Sequence, residues 1–387
     1  MYDFIFDLSI ILVGAALLSI LAVILKQPIL IGYIACGVLA GPWGLGLIKE
    51  VGFIESMSHL GITLLLFLAG LCLHPQHLLR LFQRTSLVTI TNCSVSFIIA
   101  FLFAFVFKFS FVDSVWIGIA LMFSSTILVI KLLPTTRLHQ ERMGAMCISI
   151  LIVEDLIAVG ALAFLRGMHT GGPALFDVAW LLAKLVLLIV GALLFEQFVL
   201  RKLLHRVERL HEAIFIIGLA WCFGVAAISN KMGLFYETGA FLAGIALAQH
   251  PIARFIAEAL KPLRDFFLVL FFFALGSKLD LIIVKGIFIP ALILAGIFIV
   301  VKPWLFKKML VLAGEEKPFA AEVGVRLGQL SEFSLLIAIL ALSINHISDR
   351  AVQFIELVTI LTFIISSYYV VYRYKTPIGT TEKMIKD

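Results

Sequence analysis

The chain has 387 residues, of which 62% are apolar and only 14% charged, with a mean hydropathy of +1.12 and a formal net charge of +6. This composition excludes an ordinary water-soluble domain and describes an all-α polytopic membrane protein, whose spans of about 20 apolar residues satisfy their own backbone hydrogen bonds as helices. Its positive balance is met by basic residues retained on the cytoplasmic side and by anionic headgroups, so no nucleic-acid partner is implied.

About thirteen transmembrane helices are expected, near residues 4–25, 29–48, 57–73, 86–108, 114–132, 145–166, 176–200, 212–229, 233–249, 265–280, 284–308, 319–342 and 352–373. The first lacks a basic leader and is followed at once by another span, so it is expected to stay in the protein rather than be removed as a signal peptide. Connections after odd-numbered spans, with the C-terminal tail, hold roughly 20 of the 30 Lys and Arg. That bias predicts an extracytoplasmic N-terminus and a cytoplasmic C-terminus, with Arg201, Lys202, Arg206 and Arg209 as the densest cytoplasmic anchor. Cys36, Cys72, Cys93, Cys147 and Cys222 all fall in spans, where they behave as small apolar residues and offer no disulfide framework. Cys72, His74 and His77 read as an interfacial span end rather than a metal cluster.

Polar residues interrupt this apolar background at a few places. In the fifth span the run is Ser124-Ser125-Thr126; in the twelfth it is Gln329-Leu330-Ser331-Glu332. Both fall near mid-membrane, where a discontinuous helix exposes carbonyls and half-helix termini that can hold a dehydrated cation. Hydroxyl and carbonyl oxygens are hard ligands suited to alkali cations. For the three hydroxyls the other reading is hydrogen bonding to the preceding turn or to a neighbouring helix; for Glu332 it is a structural ion pair or a protonated buried acid.

In the sixth span Glu154 and Asp155 sit side by side inside the apolar stretch Met146 to Leu165. A charge at bilayer depth costs about 2.5–3.5 kcal/mol, so such residues face a water-filled cavity or a partner and are functional by default. Lys302 lies late in another span, followed by Pro303; it either snorkels to the interface or points inward to pair with Asp155, from which an arriving cation would displace it. Glu322 and Arg326, four residues apart, form a structural pair.

The chain also repeats itself. Gly32 and Gly37 recur as Gly239 and Gly244, Gly70 as Gly276, and Ser124 as Ser331, always with an offset of 206 or 207 residues. That offset covers an odd number of spans, so the second copy would be inverted relative to the first, the usual architecture of secondary transporters.

Taken together, Gly37 to Leu45 (GVLAGPWGL), Leu64 to Gly70 (LLLFLAG), Ser124-Ser125-Thr126, Glu154-Asp155, Pro262 to Asp280 (PLRDFFLVLFFFALGSKLD) and Gly328 to Ser334 (GQLSEFS) resemble the Kef-type branch of the monovalent cation:proton antiporter-2 family. The resemblance covers nearly the whole chain. It implies an antiporter domain over residues 1–375, with repeat one near 4–166, a linker helix near 176–200, repeat two near 212–373 and a short cytoplasmic tail over 376–387. It further implies two crossed discontinuous helices, a homodimer, and a bundle of spans four to six and eleven to thirteen moving against the rest. Asp155 matches the family's ion- and proton-carrying aspartate, and Lys302 looks like the basic residue facing it in several relatives. Glu154 departs from the pattern, since Gln, Asn or a second Asp is commoner there.

The mechanism so implied is exchange of K+ or Na+ for H+ in a bacterial inner membrane. Asp155, helped by Glu154 and by Ser124, Ser125 and Thr126, would hold either a proton or a cation, with Lys302 and Glu332 as supporting charges, and the two carboxylates would titrate as a coupled pair. A gated cation channel is the rival, because broken helices and buried carboxylates also line pores; a non-transporting membrane sensor is a third reading. No nucleophile elbow, zinc or haem motif is present, so neither enzymatic activity nor a cofactor is expected. Kef-type systems commonly carry a nucleotide-binding domain after the last span, whereas this sequence stops about fifteen residues beyond it with no Gly-rich strand-turn-helix motif; the expectation is either a minimal antiporter or a truncated sequence, with a soluble regulatory domain or subunit as a further candidate partner.

Overall fold

The computed structural model describes residues 4–25, 27–48, 52–71, 75–132, 142–154, 157–158, 161, 174–207, 210–248, 250, 252–331, 333–343 and 345–374. Among them the fold is helical, with no strand beyond one isolated bridge. The elements are α1 (Phe4–Ile24), α2 (Ile29–Ala40), α3 (Gly52–Leu71), α4 (Pro75–Val106), α5 (Phe111–Ala120), α6 (Thr126–Lys131) and α7 (residues 142–154). They continue with α8 (Ala174–Phe195), α9 (Arg201–Val207), α10 (His211–Lys231), α11 (Tyr236–Leu247) and α12 (Ala253–Ser277). Last come α13 (Leu281–Leu312), α14 (Lys317–Arg326), α15 (Phe333–Ser343) and α16 (Asp349–Arg373). Six described helical stretches are long and apolar enough to cross a membrane, the longest being Leu281–Leu312.

Helix and apolar span do not coincide everywhere. α4 begins at Pro75 and α12 at Ala253, each about three turns before the hydrophobic stretch. Backbone hydrogen bonding carries a helix on through polar residues such as Gln83, Lys261 and Arg264, whereas hydropathy marks only where side chains become apolar.

By contact density the chain divides into two compact units, one of residues 1–52, 80–158 and 272–387, the other of 53–79 and 159–271. In the first, α5, α13 and α16 start on local caps. Ser110 accepts the Asp113 N–H at α5, Asp280 accepts the Ile282 and Ile283 N–H groups at α13, and Ser348 accepts the Ala351 N–H at α16. Asp113 in turn accepts from the Ser348 N–H (2.9 Å) and hydroxyl (3.1 Å), which latches the start of α5 to the start of α16. A core of Val88, Met146, Ile150, Leu151, Phe306 and Val323 joins α4, α7, α13 and α14.

In the second unit α8 runs through a π-helical turn, Glu196–Leu200, into α9. Its Phe195 ring stacks on Trp221 of α10 with centroids 5.4 Å apart, and the Trp221 indole donates to the Ala243 carbonyl of α11 at 2.9 Å.

Each unit contains a helix crossing at which glycines from both helices meet the partner's backbone. In the first, a Cβ on Gly37 of α2 would collide with the Phe273 carbonyl of α12, and one on Gly276 with the Ile34 carbonyl. In the second, a Cβ on Gly244 of α11 would collide with the Phe67 carbonyl of α3, and one on Gly70 with the Phe241 carbonyl. Gly37, Ile34, Phe67 and Gly70 map onto Gly244, Phe241, Phe273 and Gly276 by the same 206 or 207 residues found in the sequence. The crossings therefore use equivalent residues in exchanged roles, α2 with α12 and α11 with α3.

Candidate functional site

Two interruptions define the site, both in the first unit. α5 ends at Ala120 and α6 begins at Thr126; α14 ends at Arg326 and α15 begins at Phe333. The intervening segments meet through an antiparallel bridge between Ser124 and Leu330. Breaking a helix leaves N–H groups without partners at one end and C=O groups at the other, and in a dry interior each must be satisfied.

At the first interruption opposite charges meet the two ends. Glu154 of α7 is buried; its carboxylate accepts the Ser124 N–H at 2.6 Å and the Ser124 hydroxyl at 3.1 Å. Lys302 of α13 is only 1% exposed, which removes the snorkelling reading. Its ammonium donates to the carbonyls of Phe123 (2.9 Å) and Met122 (3.3 Å). The acid thus sits at the amide end of a half-helix and the base at the carbonyl end, the arrangement that helix dipoles favour. Among the described residues no ion pair joins Glu154 to Lys302; the backbone stands between them.

The three hydroxyls have different tasks. Ser124 holds Glu154, rather than a carbonyl of its own preceding turn. Ser125 accepts the Leu128 N–H at 3.1 Å and caps α6. Thr126 is buried and its Oγ1 has no hydrogen-bond partner among the described residues.

Among the described residues, neutral groups hold the second interruption. Leu330 donates its N–H to Thr362 Oγ1 (3.2 Å), Phe333 donates to Ser331 Oγ (3.0 Å), and the Gln329 side chain donates to the Arg326 carbonyl while accepting from Ser366. The Ser334 hydroxyl donates to the Ala120 carbonyl, so α15 closes the end of α5. The sequence shows Ser334 only as the end of the motif Gly328 to Ser334 and does not single out Thr362 or Ser366, because lone hydroxyls in apolar helices carry no signal until their neighbours are known. Arg326 does form the ion pair with Glu322, at 2.7 Å, and also donates to the Leu132 carbonyl that ends α6. Asp155, Glu332, Cys72 and His74 lie outside the described residues, as does the side chain of His77.

A profile of the family "Sodium/hydrogen exchanger, transmembrane" matches residues 9–371. An iron transporter, MagA, of Paramagnetospirillum magneticum is 28% identical over 93% of this chain and 83% of its own length. The glutathione-regulated potassium-efflux system protein KefC of Cronobacter sakazakii is 29% identical over 84% of this chain, which spans about half of that relative (53%). K(+) efflux antiporter 5 of Arabidopsis thaliana is 26% identical over 89% of this chain and 62% of its own length. In architecture the chain is similar to the sodium proton antiporter MjNhaP1 of Methanocaldococcus jannaschii, with a TM-score of 0.69 over 98% of both chains at 18% identity.

Proposed function

The chain belongs to the sodium/hydrogen exchanger family, and from that premise we propose that this multi-pass membrane protein exchanges a monovalent cation, K+ or Na+, for H+ by alternating access at a buried carboxylate site. One observation carries the reading: a broken helix whose two ends are held by a buried acid, Glu154, and a buried base, Lys302, beside a second broken helix. Asp155, next in sequence to Glu154, is the group that takes either the proton or the cation. Ser124, Ser125 and Thr126 shape its surroundings, and Lys302 and Glu332 set the local charge.

The names of the relatives divide between potassium and iron. Hydroxyl, carbonyl and carboxylate oxygens are what line this interruption, and such hard donors favour an alkali cation. The inverted repeat supplies the two access states, since a site between inverted copies can open to either side; the paired glycine crossings support that symmetry. Homodimerisation, a bacterial inner-membrane location with the N-terminus outside, and control by a soluble domain or subunit belong to the same proposal.

The test is reconstitution with an internal pH dye and a series of imposed gradients of K+, Na+ and Fe2+. Wild type is expected to move protons against K+ or Na+, and Asp155→Asn to abolish this while keeping its melting temperature. Transport by Asp155→Asn equal to wild type removes the site, a response to Fe2+ alone reassigns the cargo, and single-channel conductance steps replace the exchanger with a channel.

A further inference from the structure

The half-helix α6 is fixed at both ends to the same neighbouring segment. It has six residues, Thr126–Lys131, and spans about 9 Å. A helix this short has no stability of its own, so whatever holds its ends decides where it lies. Before it, Ser124 pairs with Leu330 across the antiparallel bridge. After it, the Leu132 carbonyl accepts from Nη1 of Arg326, the last residue of α14. The Gln329 side chain donates to the Arg326 carbonyl at 2.6 Å and so ties these two anchor points together. The contacts close a ring that runs from Ser124 along α6 to Arg326 and back through Gln329 and Leu330.

Arg326 is only 1% exposed, and each arm of its guanidinium has a task. Nε and Nη2 both donate to Glu322 Oε1, at 3.0 and 2.7 Å, while Nη1 reaches Leu132. Its central carbon lies 5.6 Å from the ring centroid of Tyr374, which ends α16, the helix whose Thr362 and Ser366 hold the second interruption. On either side of it in the chain, Val323 and Leu327 pack in one apolar core with Val129 of α6. Desolvating such an acid and base offsets most of what their pairing returns, and well-packed apolar replacements are often as stable. Stability therefore does not account for the charge. Direction does, because the rigid fork of an arginine serves a carboxylate and a carbonyl at fixed angles at once.

We propose that Arg326 is a positioning residue for cation binding. By holding Leu132 it fixes the far end of α6, and this sets where Ser124 presents its N–H and hydroxyl to Glu154. The surroundings of the exchanged cation are thereby set from the other end of a half-helix. Arg326 itself touches neither the cation nor the proton. The proposal rests on the exchange reading above.

Exchange measured in proteoliposomes of the full chain over a range of K+ and Na+ concentrations separates the cation KM from the maximal rate. Arg326→Met combined with Glu322→Leu removes the pair without leaving a lone buried charge. This double variant is expected to keep its melting temperature and to stay within about threefold of the wild-type maximal rate, while KM rises roughly tenfold. Arg326→Lys, with a charge but no fork, is expected to raise KM by about threefold. Should the double variant fail to fold, the lysine variant carries the same comparison. Effects at sites without a shared contact normally add, so a KM effect that shrinks in a Ser124→Ala background supports transmission through α6, and full additivity overturns it. An unchanged KM with a lower maximal rate and melting temperature would make the pair a structural brace and overturn the proposal. Wild-type protein without cation-driven proton flux overturns the exchange reading instead, before any variant is compared.

Discussion

At the residue scale, Glu154 and Lys302 work through backbone they do not share covalently. Lys302→Met leaves the Met122 and Phe123 carbonyls without their charged donor, a loss of about 2–3 kcal/mol, expected as a lower melting temperature in detergent. Glu154→Gln keeps an acceptor for the Ser124 N–H and can donate its amide N–H to the Ser124 hydroxyl, which accepts as well as donates, so only the charge assistance is lost, expected to destabilise by about 1 kcal/mol. Exchange by that variant is expected to persist with a changed pH profile. The double variant is expected to fall short of the summed losses, because each group braces the same five residues; strict additivity would show that the two ends are independent. Buried charges in an apolar span were legible from composition alone. Which partners they chose was not: hydropathy marks Lys302 as costly at its depth, but only the packing of α13 beside the interruption shows that its ammonium is spent on carbonyls.

At the scale of the elements, the polar runs Ser124-Ser125-Thr126 and Gln329 to Ser331 lie where α5 parts from α6 and α14 from α15. A hydroxyl or amide that can satisfy a loose backbone group is readable in sequence, because few other reasons put three polar residues together in hydrocarbon. The closing contacts, such as Ser334 on the Ala120 carbonyl, come from a helix more than 200 residues away in the chain and leave no local pattern. The helix crossings make a sharper test. Since the atoms facing Gly37 and Gly244 are carbonyls that cannot rotate aside, Gly37→Val and Gly244→Val are each expected to cost about 1–3 kcal/mol, read as lost monodisperse protein and a lower melting temperature. Comparable losses support the equivalence of the two crossings, and tolerance at one position alone would break it.

For the whole molecule, the composition sufficed for a helical membrane protein, and the spaced motifs for its family, which the profile match over residues 9–371 establishes. Orientation rests on the distribution of Lys and Arg. Protease added outside intact cells is expected to reach the N-terminus and spare the connection containing Arg201, Lys202 and Arg206, with the reverse in inverted vesicles. The reverse pattern in cells would turn the molecule over.

The short stretch from Leu121 to Ser125 is gripped at a single peptide. The Phe123 carbonyl and the Ser124 N–H belong to one peptide group, so a cation grips one side of a single amide plane and an anion the other. That plane is polarised along the line between them, and removing either charge is expected to weaken the hold on the other side as well.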